Sequence, residues 1–151
     1  MPKEALFLKN QLCHPIYSAA NALQRTYKRI LDPLGLTYPQ YLIMMALWEK
    51  DGVNIHAITE ATYLDSGTLT PLLQKLKTKG LIEVKPLKED RRNKLVHLTK
   101  KGAKLRDKAQ TIPETLSCLL PFKPQEFFGF KKQVEDLYQA LVEHEKQTSQ
   151  S

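Results

Sequence analysis

The feature that most constrains the fold is a change of hydrophobic period in the middle of the chain. Residues 81–85 and 94–98 alternate loosely between apolar and polar side chains, as half-buried strands do. The segment between them, 86–93, is strongly charged. Just before the first strand, across residues 65–79, leucines recur at helical spacing on one arc of about 100°: Leu69, Leu72, Leu73 and Leu76. This order predicts a helix followed by a β-hairpin with a charged tip.

Prolines, glycines and capping residues divide the rest of the chain into helices. Asp65 or Ser66 caps the helix before the hairpin, and Pro113 bends the helix after it. We predict helices over 12–31, 38–50, 54–62, 65–79, 99–119 and 124–145. The fold class is therefore mainly α with a small β-hairpin wing, a winged helix-turn-helix flanked by N- and C-terminal dimerisation helices. We expect a single domain over 1–151, with a DNA-binding module at 38–99 and dimerisation helices at 1–34 and 100–147.

Positive charge is concentrated around the hairpin. The net charge is +7, and residues 75–108 alone hold 13 Lys or Arg against 4 Asp or Glu. A localised basic field favours a polyanion, so double-stranded DNA is the expected partner. No apolar stretch is long enough for a membrane span, and no signal peptide is visible. Two cysteines without metal-ligand spacing suit a cytoplasmic protein with no metal, cofactor or membrane partner.

The helices at the two chain ends carry apolar seams that step by three and four residues. In the last helix the seam is Phe127, Phe130, Val134, Leu137 and Leu141, and in the first it is Cys13, Ile16, Ala20, Leu23, Tyr27 and Ile30. Such seams also pack within one chain. Because paired DNA half-sites require a two-fold protein, we expect both to build a homodimer interface.

Four segments carry a resemblance that covers nearly the whole chain. They are residues 8–13 around Cys13, residues 35–42, residues 64–73 and residues 89–93. With these segments the chain resembles the MarR-type winged-helix repressors, and within them the organic hydroperoxide sensors of the OhrR type, two-cysteine branch. The segment around Cys13 and the segments 37–41 and 65–71 are the specific ones, because arginines near residue 92 are common in the wider family.

The polar face of the fourth helix and the hairpin tip supply the candidates for DNA contact. Small hydroxyl and amide side chains can touch base edges in the major groove, and lysines such as Lys75, Lys77 and Lys79 can meet phosphates. The resemblance implies that Arg92 enters the minor groove, with Asp90 orienting it. The DNA-binding candidates are Ser66, Gly67, Thr68, Thr70, Pro71, Gln74, Lys75, Asp90, Arg91 and Arg92.

Cys13 is the candidate redox sensor. It lies near the amino end of the first helix, where unpaired amide hydrogens stabilise a thiolate. Tyr17 is one turn away, whereas Tyr27 lies about 21 Å along the same helix and cannot reach its own chain's Cys13. The resemblance implies hydrogen bonds from Tyr27 and Tyr38 across the dimer, with Tyr17 nearby, and makes Cys118 the resolving cysteine. Alternatively, Cys118 is a buried thiol that fills core space.

The predicted function is a transcriptional repressor that binds a pseudo-palindromic operator and is released when organic hydroperoxide oxidises Cys13. An apolar effector pocket is expected beside Cys13, with Ile16, Met44, Met45, Phe122, Phe127 and Phe128 as candidates. One alternative is a MarR-type repressor that responds to a small ligand without thiol chemistry. Others are a thiol peroxidase, which the absence of Cys-x-x-Cys disfavours, and a sequence-independent DNA-binding protein. We expect a regulator and not an enzyme.

Overall fold

The computed structural model describes residues 3–86 and 94–148, which form two compact units, Met1–Thr111 and Ile112–Ser151. The first unit contains helices α1 (Cys13–Leu31), α2 (Tyr38–Glu49), α3 (Ile55–Thr62), α4 (Ser66–Thr78) and α5 (Lys100–Ala109), and strands β1 (Val53–Asn54), β2 (Ile82–Pro86) and β3 (Lys94–Leu98). Short 3-10 turns lie at Lys3–Leu6, Leu8–Asn10 and Asp32–Leu34. The second unit contains α6 (Ile112–Ser117) and α7 (Pro124–Thr148).

Side-chain caps define where the helices of the first unit begin. Asn54 Oδ1 accepts a hydrogen bond from the amide of Ala57 at 2.8 Å and starts α3. Thr99 Oγ1 accepts one from the amide of Gly102 at 3.0 Å and starts α5. Each of these bonds satisfies an amide that the first turn leaves unpaired, and losing such a cap costs about 1 kcal/mol.

The strands form one antiparallel sheet in the order β1-β3-β2. Val96 at the centre of β3 pairs with Val84 of β2 on one side and Val53 of β1 on the other. The second strand of the hairpin, β3, is therefore the central strand and is paired on both sides. The two predicted strands are confirmed, and β1 is an addition that two residues of sequence could not reveal.

The core of the first unit lies where α2 and α4 meet the sheet. Its buried apolar side chains are Leu31, Leu36, Tyr41, Ile43, Met44, Leu47, Ile58, Leu69, Leu73, Leu76, Leu81, Ile82, Val96 and Ala109. A deeply buried polar side chain near it, Gln40, accepts hydrogen bonds from the amide of Thr37 and from Lys79 Nζ. Its burial is therefore compensated.

The predicted helix over 99–119 is wrong, because the chain forms two helices, α5 and α6, with a break at residues 110–111. Pro113 explains the break. Proline has no amide hydrogen to give the carbonyl four residues earlier, and its ring collides with that carbonyl. Proline is tolerated in a first turn, so a new helix begins at Ile112.

Within residues 3–86 and 94–148, no helix combines the length and the apolar character that crossing a membrane requires.

Candidate functional site

A tight turn between α3 and α4 sets the direction of α4. Tyr63 ends α3 in the left-handed conformation, with φ of 57°, and its amide donates to the carbonyl of Thr59. Asp65 then caps α4, since its Oδ1 accepts from the amide of Thr68 at 2.8 Å and its Oδ2 from the Thr68 hydroxyl at 2.6 Å. These bonds to the side chain and backbone of Thr68 lower the pKa of Asp65. Of the two predicted caps, the structure uses Asp65.

The outer face of α4 is exposed. Leu69, Leu73 and Leu76 are buried beneath it, as the leucine pattern predicts, and Leu72 is half-buried. The seven predicted contact residues on this helix are all exposed: Ser66, Gly67, Thr68, Thr70, Pro71, Gln74 and Lys75. A helix of this kind, with its leucines inward and small polar groups outward, fits a major groove.

Hydrogen bonds within α4 decide what its face can offer to a base. The Thr70 hydroxyl donates to the carbonyl of Ser66 at 3.0 Å, and the Thr68 hydroxyl donates to Asp65. Both threonines therefore present a methyl group and acceptor lone pairs. Gln74, with an exposed carboxamide, can give a donor and an acceptor to one adenine.

The lysines that follow differ in their environment. Lys75 and Lys77 are exposed. Lys79 Nζ instead donates to the carbonyl of Gly35 at 2.5 Å and to Gln40 Oε1 at 2.8 Å. The predicted phosphate contact of Lys79 therefore competes with a bond inside the protomer, which ties the end of α4 to the start of α2.

The hairpin strands β2 and β3 project from the same unit as α4. The tip residues predicted to contact DNA, Asp90, Arg91 and Arg92, lie outside the described part of the chain.

Both cysteines are exposed thiols in the protomer. Cys13 is the first residue of α1, and the residue before it, Leu12, provides no side-chain cap. The amides of Cys13 and His14 in this first turn therefore lack a side-chain cap, whereas Pro15 has no amide hydrogen. Cys118 directly follows α6. The alternative in which Cys118 fills the core is wrong for the protomer, because the short helix α6 ends before it and leaves it at the surface.

The structure brings two of the three predicted sensor tyrosines together. The rings of Tyr27 and Tyr38 contact each other with centroids 4.3 Å apart and planes tilted by 35°, and the ring of Tyr41 lies 6.2 Å from that of Tyr27. Burial, with the charge repulsion of Tyr38 and Tyr41, raises the pKa of Tyr27 to about 12, and burial also raises the pKa of Tyr38. Both groups are thus hydrogen-bond donors at neutral pH. Tyr17, near Cys13, is 70% exposed.

An apolar pocket of about 550 Å³ lies in the second unit beside Cys118. Its lining includes three predicted pocket residues, Phe122, Phe127 and Phe128. The prediction that Met44 lines such a pocket is wrong, because Met44 is fully buried in the core of the first unit.

The two predicted seams are uncovered in the protomer. None of the described residues of α7 is buried, and α1 buries Leu31 alone. Their exposed apolar side chains include Ile16, Leu23, Phe127, Phe130, Val134 and Leu141. Within the described residues, no three His, Cys, Asp or Glu side chains are grouped to hold a metal ion.

Three helices followed by a hairpin, with an exposed polar face on the third of them, define a winged helix-turn-helix DNA-binding protein. A family model, that of the SarA/Rot transcriptional regulators, matches residues 25–109. The chain belongs to this family of transcriptional regulators.

Relatives refine this assignment. The organic hydroperoxide resistance transcriptional regulator of Bacillus subtilis (strain 168) is 40% identical over 134 residues, which are 89% of this chain and 91% of that protein. AbfR of Staphylococcus epidermidis, in a structure of its reduced form bound to DNA, is 30% identical with a TM-score of 0.79. That match covers 95% of this chain and 98% of AbfR. AbfR with its disulfide formed is 29% identical with a TM-score of 0.64, over 90% of this chain and 96% of AbfR.

The predicted fold and the resemblance to organic hydroperoxide regulators are therefore confirmed.

Proposed function

We propose that this regulator is a cytoplasmic repressor that binds a pseudo-palindromic operator as a homodimer and leaves it when an organic hydroperoxide oxidises Cys13. The observation that carries the proposal is the place of Cys13. It is an exposed thiol at the first residue of α1, on an uncovered apolar seam, in a protein whose α4 presents a reading face. Two relatives support the proposal by their descriptions: one is a regulator of organic hydroperoxide resistance, and the other, AbfR, binds DNA in its reduced form.

On DNA, α4 reads bases and the hairpin tip reads the minor groove. Gln74 pairs with adenine, the methyl groups of Thr68 and Thr70 contact thymine methyls, and Ser66, Gly67 and Pro71 allow close approach. Lys75 meets phosphate. Arg92, oriented by Asp90 and accompanied by Arg91, enters the minor groove. Residues 38–99 form this module, and the helices of 1–34 and 100–147 join two protomers.

In the sensor, helix amides and tyrosine hydroxyls stabilise the Cys13 thiolate. The phenols of Tyr27 and Tyr38, already adjacent in one protomer, reach Cys13 of the partner, while Tyr17 lies beside Cys13 on its own helix. A partner is required because Tyr27 is about 21 Å from Cys13 along α1. The raised pKa values keep both phenols protonated and able to donate.

Oxidation proceeds in two steps. The Cys13 thiolate attacks the terminal peroxide oxygen, an S–O bond forms, the O–O bond breaks, and an alcohol leaves after gaining a proton. The thiol of Cys118 from the partner then attacks the sulfenic sulfur, an S–S bond forms, and water leaves. Closing this bond requires Cα atoms within about 7 Å, so it fixes one arrangement of the two protomers. Each oxidant molecule acts once, as in a switch, without catalytic turnover.

The pocket beside Cys118 favours a second candidate function, repression relieved by an apolar small molecule without thiol chemistry. The two candidates differ in their dependence on Cys13.

Single Cys→Ser variants test the proposal. The probe is a DNA duplex that the reduced, unaltered protein enriches from a random pool. Cumene hydroperoxide should release the unaltered protein from this duplex and crosslink it into a dimer on a non-reducing gel. Cys13→Ser should stay bound and form no crosslink, whereas Cys118→Ser should bind when reduced and form no crosslink.

Dithiothreitol added after oxidation is the control, and it should restore binding by the unaltered protein. Release of Cys13→Ser at the same hydroperoxide concentration as the unaltered protein would contradict the redox mechanism and favour a ligand.

A further inference from the structure

The exposed face of α5 carries a strip of lysines to which the proposed function assigns no contact with DNA. On a helical wheel four lysines fall within about 100°, opposite the buried Gly102 and Ala109. The four are Lys100, Lys101, Lys104 and Lys108. Together with Leu105 and Asp107 they line an open groove. We call these four lysines the α5 strip. Among the described residues that line the groove, Asp107 is the one acidic side chain.

The charge pattern of α5 is unfavourable for the helix itself. Lys100, Lys104 and Lys108 are spaced by four residues, so like charges stand over one another on successive turns. The first turn holds lysines and no acidic residue, although the amino end of a helix favours negative charge.

α7 shows the opposite pattern with the same residue type. Its Lys131 and Lys132 pair with Glu135 and Asp136, four residues further on. The α5 strip therefore breaks a rule that the chain follows elsewhere. Such a local conflict is typical of a surface that meets a ligand of opposite charge.

The contacts of α5 place this strip next to the DNA-reading helix. Lys101 Nζ donates to the carbonyl of Lys79 at 2.8 Å, at the end of α4. The Thr99 hydroxyl, at the start of α5, donates to the carbonyl of Gly80 at 2.6 Å. The strip thus begins beside the end of α4, the helix that also carries the exposed Lys75 and Lys77.

We propose that the α5 strip is a second DNA-binding surface, which contacts backbone phosphates flanking the half-site read by α4. The inference rests on the proposed binding of an operator and adds a contact outside the helix-turn-helix and hairpin tip. It makes the regulator's affinity depend on the DNA beyond its recognition sequence, through charge and without base readout.

The test is the triple variant Lys100→Gln, Lys104→Gln, Lys108→Gln on two duplexes. One is the duplex enriched by the reduced, unaltered protein, trimmed to its consensus. The other carries about one further helical turn, ten base pairs, on each side. The unaltered protein should bind the longer duplex more tightly. The triple variant should bind both duplexes equally. On the longer duplex, the slope of log affinity against log salt concentration should fall in magnitude by about 0.9 for each phosphate that is no longer neutralised, up to about 5 in a dimer.

The matched control is Lys131→Gln, Lys132→Gln, Lys146→Gln, which removes three exposed lysines from α7 and should leave both the slope and the length dependence unchanged. Without DNA, the melting temperature of the α5 variant should equal or exceed that of the unaltered protein, because like charges are removed. An unchanged salt slope, or an equal loss of affinity for both duplexes, overturns the inference. So does a triple variant that keeps its affinity for both duplexes and loses affinity only for polyglutamate, a probe for an acidic protein partner. If no duplex is enriched at all, the proposed function itself has failed.

Discussion

At the scale of single residues, the tyrosine cluster shows how burial prepares a group for its role. Tyr27, Tyr38 and Tyr41 lie ring against ring, and each has a raised pKa because the charged phenolate is poorly solvated there. The protonated form is therefore the one that the fold favours.

This cluster predicts a loss of stability in strong alkali. An unfolded tyrosine ionises near pH 10, whereas the pKa of Tyr27 in the folded protein is about 12. The contribution of Tyr27 to the free energy of unfolding is thus fully present below about pH 10 and is lost as pH rises towards 12. Tyrosinate absorbance should show late ionisation in the folded protein, and Tyr27→Phe should remove the part near pH 12 while the late ionisation of Tyr38 and Tyr41 remains. The urea-unfolded chain is the control, and an unchanged step near pH 12 in Tyr27→Phe would contradict the assignment.

Residue-level sequence signals predict much of the site. Asp65 is recognisable as one of two caps, because a carboxylate before a leucine-periodic stretch satisfies free amides. The ring contact between Tyr27 and Tyr38 could not be predicted from spacing, since it joins two helices through the packing of the core. The internal bonds of Lys79 depend on the same tertiary packing, so no local pattern indicates them.

At the scale of elements, one close approach fixes α5 against the sheet. Gly102 is buried so tightly that an added Cβ would lie 1.9 Å from the carbonyl oxygen of Leu81. Its own carbonyl accepts from Trp48 Nε1 at 3.0 Å, which links α5 to α2. A side chain at this position therefore forces the backbone at Leu81 or α5 to shift.

Gly102→Ala should destabilise the protein by about 1–3 kcal/mol, the usual cost of overpacking, despite the better helix propensity of alanine. Urea unfolding followed by the fluorescence of Trp48, the only tryptophan, measures this. Gly129→Ala is the control, because nothing lies within 4 Å of a Cβ at Gly129 in α7. It should be neutral or stabilising by up to about 1 kcal/mol. Equal effects of the two substitutions would rule out the steric explanation.

The elements that the sequence predicts correctly are those with local signals. Helices α1 to α4 and both hairpin strands follow from caps and periods within the segments themselves. β1 exists because Val53 pairs with Val96, a partner far along the chain, and two residues show no period. The break before α6 falls earlier than the predicted bend, since Pro113 belongs to the first turn of a new helix and not to the interior of a long one.

At the scale of the whole molecule, the helices α1 and α7 each leave an apolar seam uncovered in the protomer. The seams of α1 and α7 leave large apolar side chains in water, among them Val134 at 50% and Leu141 at 57% exposure. Exposed apolar surface of this kind marks an interaction site, and a two-fold partner covers it in the proposed dimer.

Val134→Glu with Leu141→Glu should therefore give a folded monomer that no longer binds the enriched duplex. Each buried leucine or valine contributes about 1.5–3 kcal/mol, and the two substitutions act twice in a symmetric dimer. Sedimentation velocity measures the oligomeric state. Gln139→Glu adds a charge to the opposite side of α7 and should remain dimeric. A double variant that stays dimeric would show that this seam is not the interface.

The bond between Lys79 and Gln40 has a mechanical consequence. Gln40 lies in the first turn of α2, two residues after Tyr38, so a phenol of the proposed sensor and the anchor of the reading helix share a single turn of backbone. Only about 3 Å of helix rise separates Tyr38 from Gln40. If oxidation of the partner's thiol displaces the Tyr38 phenol, the shift of α2 therefore acts directly on the bond that holds the end of α4. A long relay through the core is unnecessary, because the sensor phenol and the residue that holds the end of α4 are two residues apart in one helix.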